Sequence, residues 1–165
     1  MTNFDLNELS ESTRQIFIDL MAENERLKQR IKELTAVALH DDLTGLINRR
    51  GFLSALEKAL AFSKRYKISA SLIFVDLNHF KQINDTHGHA AGDVVLKTVA
   101  QRIARQVRSS DVVARLGGDE FVMLLWNVNE EIARARAGLL THAICRDAIV
   151  LHDNTHLTIK ASAGV

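Results

Sequence analysis

The sequence predicts an α/β domain, one sheet covered by helices, preceded by a long N-terminal helix. Three observations lead there. Between Phe17 and Ala38 apolar residues recur at alternating spacings of three and four, the signature of a helical heptad. The run over 68–77 is almost continuously apolar and rich in β-branched residues, as in a strand covered on both faces and therefore central. Two more β-rich runs, 111–116 and 121–126, flank Gly117-Gly118, the pattern of a hairpin closed by a tight turn.

Taken in order, the leading helix carries Phe17, Leu20, Asn24, Leu27, Ile31, Leu34 and Ala38 along one seam. An amide at seam position Asn24 can pair with its copy and favour a parallel two-stranded register, while Glu23 and Lys28 have the spacing of an interchain ion pair. The expectation is a homodimer through this helix. The alternative is one amphipathic helix folded back on its own domain. A polar break at His40-Asp41-Asp42 precedes a second helix through Phe52, Leu53, Leu56, Leu60 and Phe62. The central strand follows. Gly92-Asp93 then open a helix with Val94, Val95, Leu96, Val99, Ile103 and Val107 at helical spacing and Asp93 as its N-cap. After the hairpin come a helix over about 130–146 and an alternating final strand over 156–165. The expected organisation is a dimerisation segment, 1–40, and a domain, 41–165.

A chain of 165 residues accommodates one domain and an appendage, and 47% hydrophobic with 25% charged residues is an ordinary soluble composition. With 21 basic against 20 acidic residues, no global field favours nucleic acid or an anionic membrane. Any phosphate recognition is local. No apolar stretch approaches bilayer length, and Met1-Thr2-Asn3-Phe4-Asp5 lacks the regions of a signal peptide. The expectation is a cytoplasmic protein without nucleic-acid or membrane partners. The single cysteine, Cys145, allows no internal disulfide and suits a small buried hydrophobe.

Asp76 ends the central run, and open α/β sheets bind ligands where strands finish. If the first strand of the hairpin lies beside this one, Asp119 comes close to Asp76. With a backbone carbonyl such as that of Leu77, the two carboxylates form a hard oxygen site. Mg²⁺ suits it best, with Mn²⁺ as an alternative, because substrate phosphates and water fill the remaining positions. A nucleoside triphosphate is implied. Taken singly, Asp76 as a turn cap and Asp119 as a solvated hairpin residue are commonplace.

Three stretches occur in order: Asp41-Asp42-Leu43-Thr44-Gly45-Leu46-Ile47-Asn48-Arg49-Arg50, then Asp76-Leu77-Asn78-His79-Phe80-Lys81-Gln82-Ile83-Asn84 continuing to Asp93, then Gly117-Gly118-Asp119-Glu120-Phe121. Together they resemble the GGDEF family of diguanylate cyclases over residues 41–165. The resemblance implies a nucleotidyl-cyclase-like (polymerase-palm-like) fold and condensation of two GTP into cyclic di-GMP and diphosphate. It implies that Asp76, Asp119 and the Leu77 carbonyl hold the metal, with Glu120 as a further ligand or proton acceptor. Asn84 and Asp93 become guanine readers, Asp93 having the alternative role of a plain helix cap. Asn78, Phe80 and Lys81 become the phosphate-contacting turn, the first two through their backbone. Arg108 and Asp111, spaced as RxxD, become an inhibitory site for cyclic di-GMP. Each GTP must be held by a different subunit, which gives the N-terminal helix its purpose.

Asn78 stands where many relatives have aspartate, removing one carboxylate from the metal neighbourhood. The resemblance also implies a following helix with a lysine and an arginine on the triphosphate, whereas this chain ends at Val165. Two charge-assisted bonds of about 1.5–3 kcal/mol each correspond to roughly 10²–10⁴-fold, so weak turnover is expected from this chain. The alternative is a weak or inactive module that binds GTP or cyclic di-GMP for signalling.

Overall fold

The computed structural model describes residues 10–165, which divide into two compact units, 10–38 and 39–165. The first is helical: α1 spans Glu11–Leu39, about 43 Å at 1.5 Å per residue. Ser10 caps it, its Oγ accepting from the Thr13 amide at 3.3 Å. Along its length Glu23 pairs with Arg26 and Glu25 with Lys28, each at 2.7 Å. Within one chain, then, Glu23 and Lys28 have partners on their own helix. The seam residues Leu20, Leu27, Ile31 and Leu34 are all exposed. No described helix is long and apolar enough to cross a membrane.

The second unit contains β1 (Ile47–Asn48), α2 (Arg49–Tyr66), β2 (Ala70–Asn78), α3 (Phe80–His87), α4 (His89–Ala104), β3 (Val112–Gly117), β4 (Glu120–Trp126), α5 (Glu130–Cys145), β5 (Ile149–Val150), β6 (His156–Leu157) and β7 (Lys160–Gly164). The main sheet runs β1-β3-β4-β2-β7, with β1 parallel to β3 and every other pairing antiparallel. Side chains alternate across it. Ile73, Val75 and Leu77 of β2 and Phe121, Met123 and Leu125 of β4 join α4 and α5 in the larger core. Val122 and Leu124 face α2 through Phe52 and Ala59.

Here the expectation for β2 needs correction. It is central, but its second face is covered only near Leu72, where α2 packs. Phe74 and Asp76 beyond it are exposed. One helix is too narrow to cover five strands, so the β2–β7 side of that face remains open to ligand.

Several elements depart from the sequence expectation. The short β1 and α3 lie inside stretches that carry motifs, where polar residues obscure the periodicity. The strand expected over 156–165 is broken, its first part pairing with β5 in a separate two-stranded sheet and its second part with β2. Asp93 is no N-cap: α4 starts at His89 with Gly88 in the cap position, and Asp93 lies in its second turn. Cys145 is half-buried against the larger core.

Candidate functional site

The open face is built from cross-strand partners. Asp76 of β2 stands opposite Glu120 of β4 on one side and Ser162 of β7 on the other, and such partners share a face with Cβ atoms about 5 Å apart. The sequence expectation placed the first strand of the hairpin beside β2. The second, β4, lies there instead, because a hairpin can add to a sheet through either strand and its apolar β4 is buried along most of its length. The carboxylate brought directly opposite Asp76 is therefore that of Glu120, with Asp119 one residue back in the turn and half-buried. Asp76, Glu120, Leu116 and Ser162 line one cleft of about 420 Å³.

Two carboxylates and a hydroxyl on a water-exposed face form a hard oxygen donor set. They fit Mg²⁺, which needs only one or two protein carboxylates alongside phosphate and water. Among the described residues no group of three or more His, Cys, Asp or Glu forms an all-protein cage. The ladder with β4 ends at Asp76. The main chain of Leu77 and Asn78 thus has no strand neighbour on that side, and a carbonyl there can serve a cation.

The Gly-Gly turn is held from outside. Gly117 and Gly118 have φ of 146° and 53°, conformations that L side chains rarely adopt. Arg115 donates from Nε and Nη2 to the Gly118 carbonyl at 2.9 and 2.8 Å. Its Nη1 donates to both Asp41 oxygens at 3.2 Å. Asp41 also accepts from the Thr44 amide and hydroxyl at 2.8 and 2.6 Å. Burial alone would push the Asp41 carboxyl up, but the bonds from Thr44 and then Arg115 outweigh it and hold the group below its usual range. The opening motif is in this way tied to the turn that carries Asp119 and Glu120. Sequence reasoning gave Arg115 no role. The signal available was an arginine two residues before a glycine turn, which does not name its partner 74 residues away.

At the end of β2 the chain turns sharply through His79, whose φ of 59° is unusual for a side-chain-bearing residue. Phe80 is buried and Lys81 exposed at the start of α3, which has no side-chain cap. The His79 carbonyl accepts from the Gln82 amide at 3.0 Å, and the amides of Phe80 and Lys81 are left for a solvent or anion partner. Asn84 of α3 packs against Gly92 of α4 so closely that a Cβ there would overlap its Oδ1. The structure thus brings Asn84 beside Gly92-Asp93. Gly92→Ala is expected to displace the Asn84 amide, costing about 1–3 kcal/mol, which a melting curve checks.

Asp111 is engaged within its own part of the fold. Its side chain is 2% exposed. It accepts from the Arg108 amide at 3.1 Å, the Trp126 amide at 3.3 Å and Arg136 at 3.4 Å. The carboxylate thus fastens the loop before β3, and only Arg108 of the RxxD pair is exposed.

The family profile "Diguanylate cyclase, GGDEF domain" matches residues 38–165. Diguanylate cyclase TpbB of Pseudomonas aeruginosa is 43% identical over 121 residues, which is 73% of this chain and 28% of the relative. Diguanylate cyclase DgcN of Escherichia coli is 42% identical over 139 residues, 84% of this chain and 34% of the relative. The chain thus spans about a third or less of the length of these relatives. Among solved structures, the coiled coil and GGDEF domain of DgcB from Caulobacter crescentus, in complex with c-di-GMP, matches at a TM-score of 0.85 and 29% identity. That match covers 93% of this chain and 82% of the other. The GGDEF domain of TpbB matches at 0.72 and 40% identity, over 76% and 73% of the two chains. With every element from β1 to β7 inside the matched range, this chain belongs to the diguanylate cyclase GGDEF-domain family.

Proposed function

We propose that the domain condenses two GTP into cyclic di-GMP and diphosphate as an Mg²⁺-dependent homodimer. The observation that carries this reading is the placement of Asp76 and Glu120 side by side on an uncovered sheet face, next to the uncapped start of α3. Asp76 and one acid of the glycine turn, Glu120 or Asp119, with the Leu77 carbonyl, hold the metal, which when bound lowers the pKa of the ribose 3′-hydroxyl and offsets charge on the attacked α-phosphate. Glu120, exposed at the edge of the cleft, is the group placed to take the hydroxyl proton. The amides at Asn78 and Phe80 and the Lys81 side chain hold phosphate oxygens. Asn84 and Asp93 read guanine, whose N1–H and amino group offer a donor pair that adenine lacks.

Each 3′-oxygen bonds the α-phosphorus of the other nucleotide as diphosphate leaves, so two domains must face each other. The exposed heptad seam of α1 suits a second copy of this chain, and the coiled coil of the matched DgcB structure supports that use. Exposed Arg108 is the group placed to grip product guanine in an inhibitory site.

The test is incubation with GTP and Mg²⁺ while separating products by chromatography. Cyclic di-GMP is expected, at a rate lowered by added product, abolished by Asp119→Ala and strongly reduced by Leu27→Glu together with Ile31→Glu. Guanine-nucleotide binding without product, or full turnover by Asp119→Ala, refutes the reading.

A further inference from the structure

Beside the Asp76 row lies a second one. Lys160, the first residue of edge strand β7, stands opposite Asn78 in the same register that sets Ser162 opposite Asp76. Residues two apart on a strand are roughly 6.5 Å apart and share a face, so Lys160 lies one pleat from the candidate metal row. It is exposed, and among the described residues it enters no ion pair.

The cleft it lines contains no acid. Lys160, Asn78, His79, Gln82, Thr86 and His87 line a cleft of about 390 Å³ between α3 and the start of β7, and none of its lining residues is a carboxylate. His87 has an acidic neighbour in Asp153, which lines the adjoining cleft instead. The residue directly across from Lys160 is a neutral amide whose Oδ1 already accepts from Ser162 Oγ at 2.9 Å. An aspartate at 78 would pair with Lys160 across the strands and neutralise it. With asparagine there, the ammonium keeps its charge for a ligand.

We propose that Lys160 is a further substrate-binding residue that holds the terminal phosphates of the nucleotide from the β7 side, its charge kept available by the neutral Asn78. The inference rests on the reading that the site binds GTP. A flexible ammonium one row from the metal neutralises β- and γ-phosphate charge, and a nucleoside monophosphate has no group to meet it.

Calorimetric titration of the chain with GTP and with GMP, both with Mg²⁺, tests this. Lys160→Ala is expected to weaken GTP binding about 10-fold or more while changing GMP binding less than about twofold, and Lys160→Arg to restore most of the loss. Asn78→Asp is expected to weaken GTP binding when Lys160 is present and to have a smaller effect beside Lys160→Ala. GTP affinity unaltered in Lys160→Ala, or equal losses for GTP and GMP, overturns the inference and leaves the function intact. A wild-type chain that binds neither nucleotide overturns the function itself.

Discussion

Exchanging Glu120 for glutamine is expected to lower turnover of GTP by about 10²–10³-fold, and Asp76→Asn by a similar factor. The reason is register. Asp76 and Glu120 are direct partners across β2 and β4, so each variant leaves one carboxylate where two would share the charge of a divalent ion. Both amide variants preserve shape, and both positions are exposed, so folding is expected to be unaffected. Paramagnetic titration with Mn²⁺ and nucleotide separates the roles of Glu120. A ligand role weakens Mn²⁺ binding along with turnover, while a role confined to proton transfer lowers turnover alone. Turnover within about threefold of wild type in either variant would remove the row from the mechanism.

The second large effect is expected at Arg115, outside the cleft. Arg115→Ala removes two bonds to the Gly118 carbonyl and the cation beside Asp41, whose side chains are 12% and 23% exposed in the order Arg115, Asp41. A carboxylate left half-buried without its partner, with an unheld turn, corresponds to about 2–3 kcal/mol, or roughly 6–12 °C in Tm. Activity falls too, since the turn sets where Asp119 and Glu120 stand. The pH dependence has a fixed sign. The Asp41 carboxyl is depressed in the folded state, so its contribution is fully present above the ordinary aspartate value of about 3.9 and is lost as pH falls through the lower folded value. Acid unfolding curves should show this slope in wild type and a smaller one in Arg115→Ala. Identical curves would show that the clamp does not hold the turn.

Much of this molecule is legible locally. The hairpin, the helices after Asn48 and Asn129 and the central position of β2 follow from period, turn residues and β-branching, which act over a few residues. Asp76 and Asp119 stand out by residue type and by their places at a strand end and a glycine turn, whereas Asn84 and Asp93 become site candidates only through the resemblance of the stretch that contains them. Asp93 was assigned a cap because a glycine precedes an apolar run; the helix starts a turn earlier, since His89, Ala90 and Ala91 are compatible with helix but carry no start signal. The β6–β7 break was invisible because alternation shows that residues are extended and not which strand they pair with.

Period and turn chemistry in the chain itself determined that there would be a heptad helix, a central strand and a glycine hairpin with acids at its tip, since those preferences are settled by neighbours in sequence. Tertiary packing alone decided that β4 rather than β3 borders β2, that Glu120 rather than Asp119 faces Asp76, and that Arg115 reaches back to Asp41. Those pairings join residues 44 and 74 positions apart, and what selects among them is which apolar faces bury best together once the sheet is assembled.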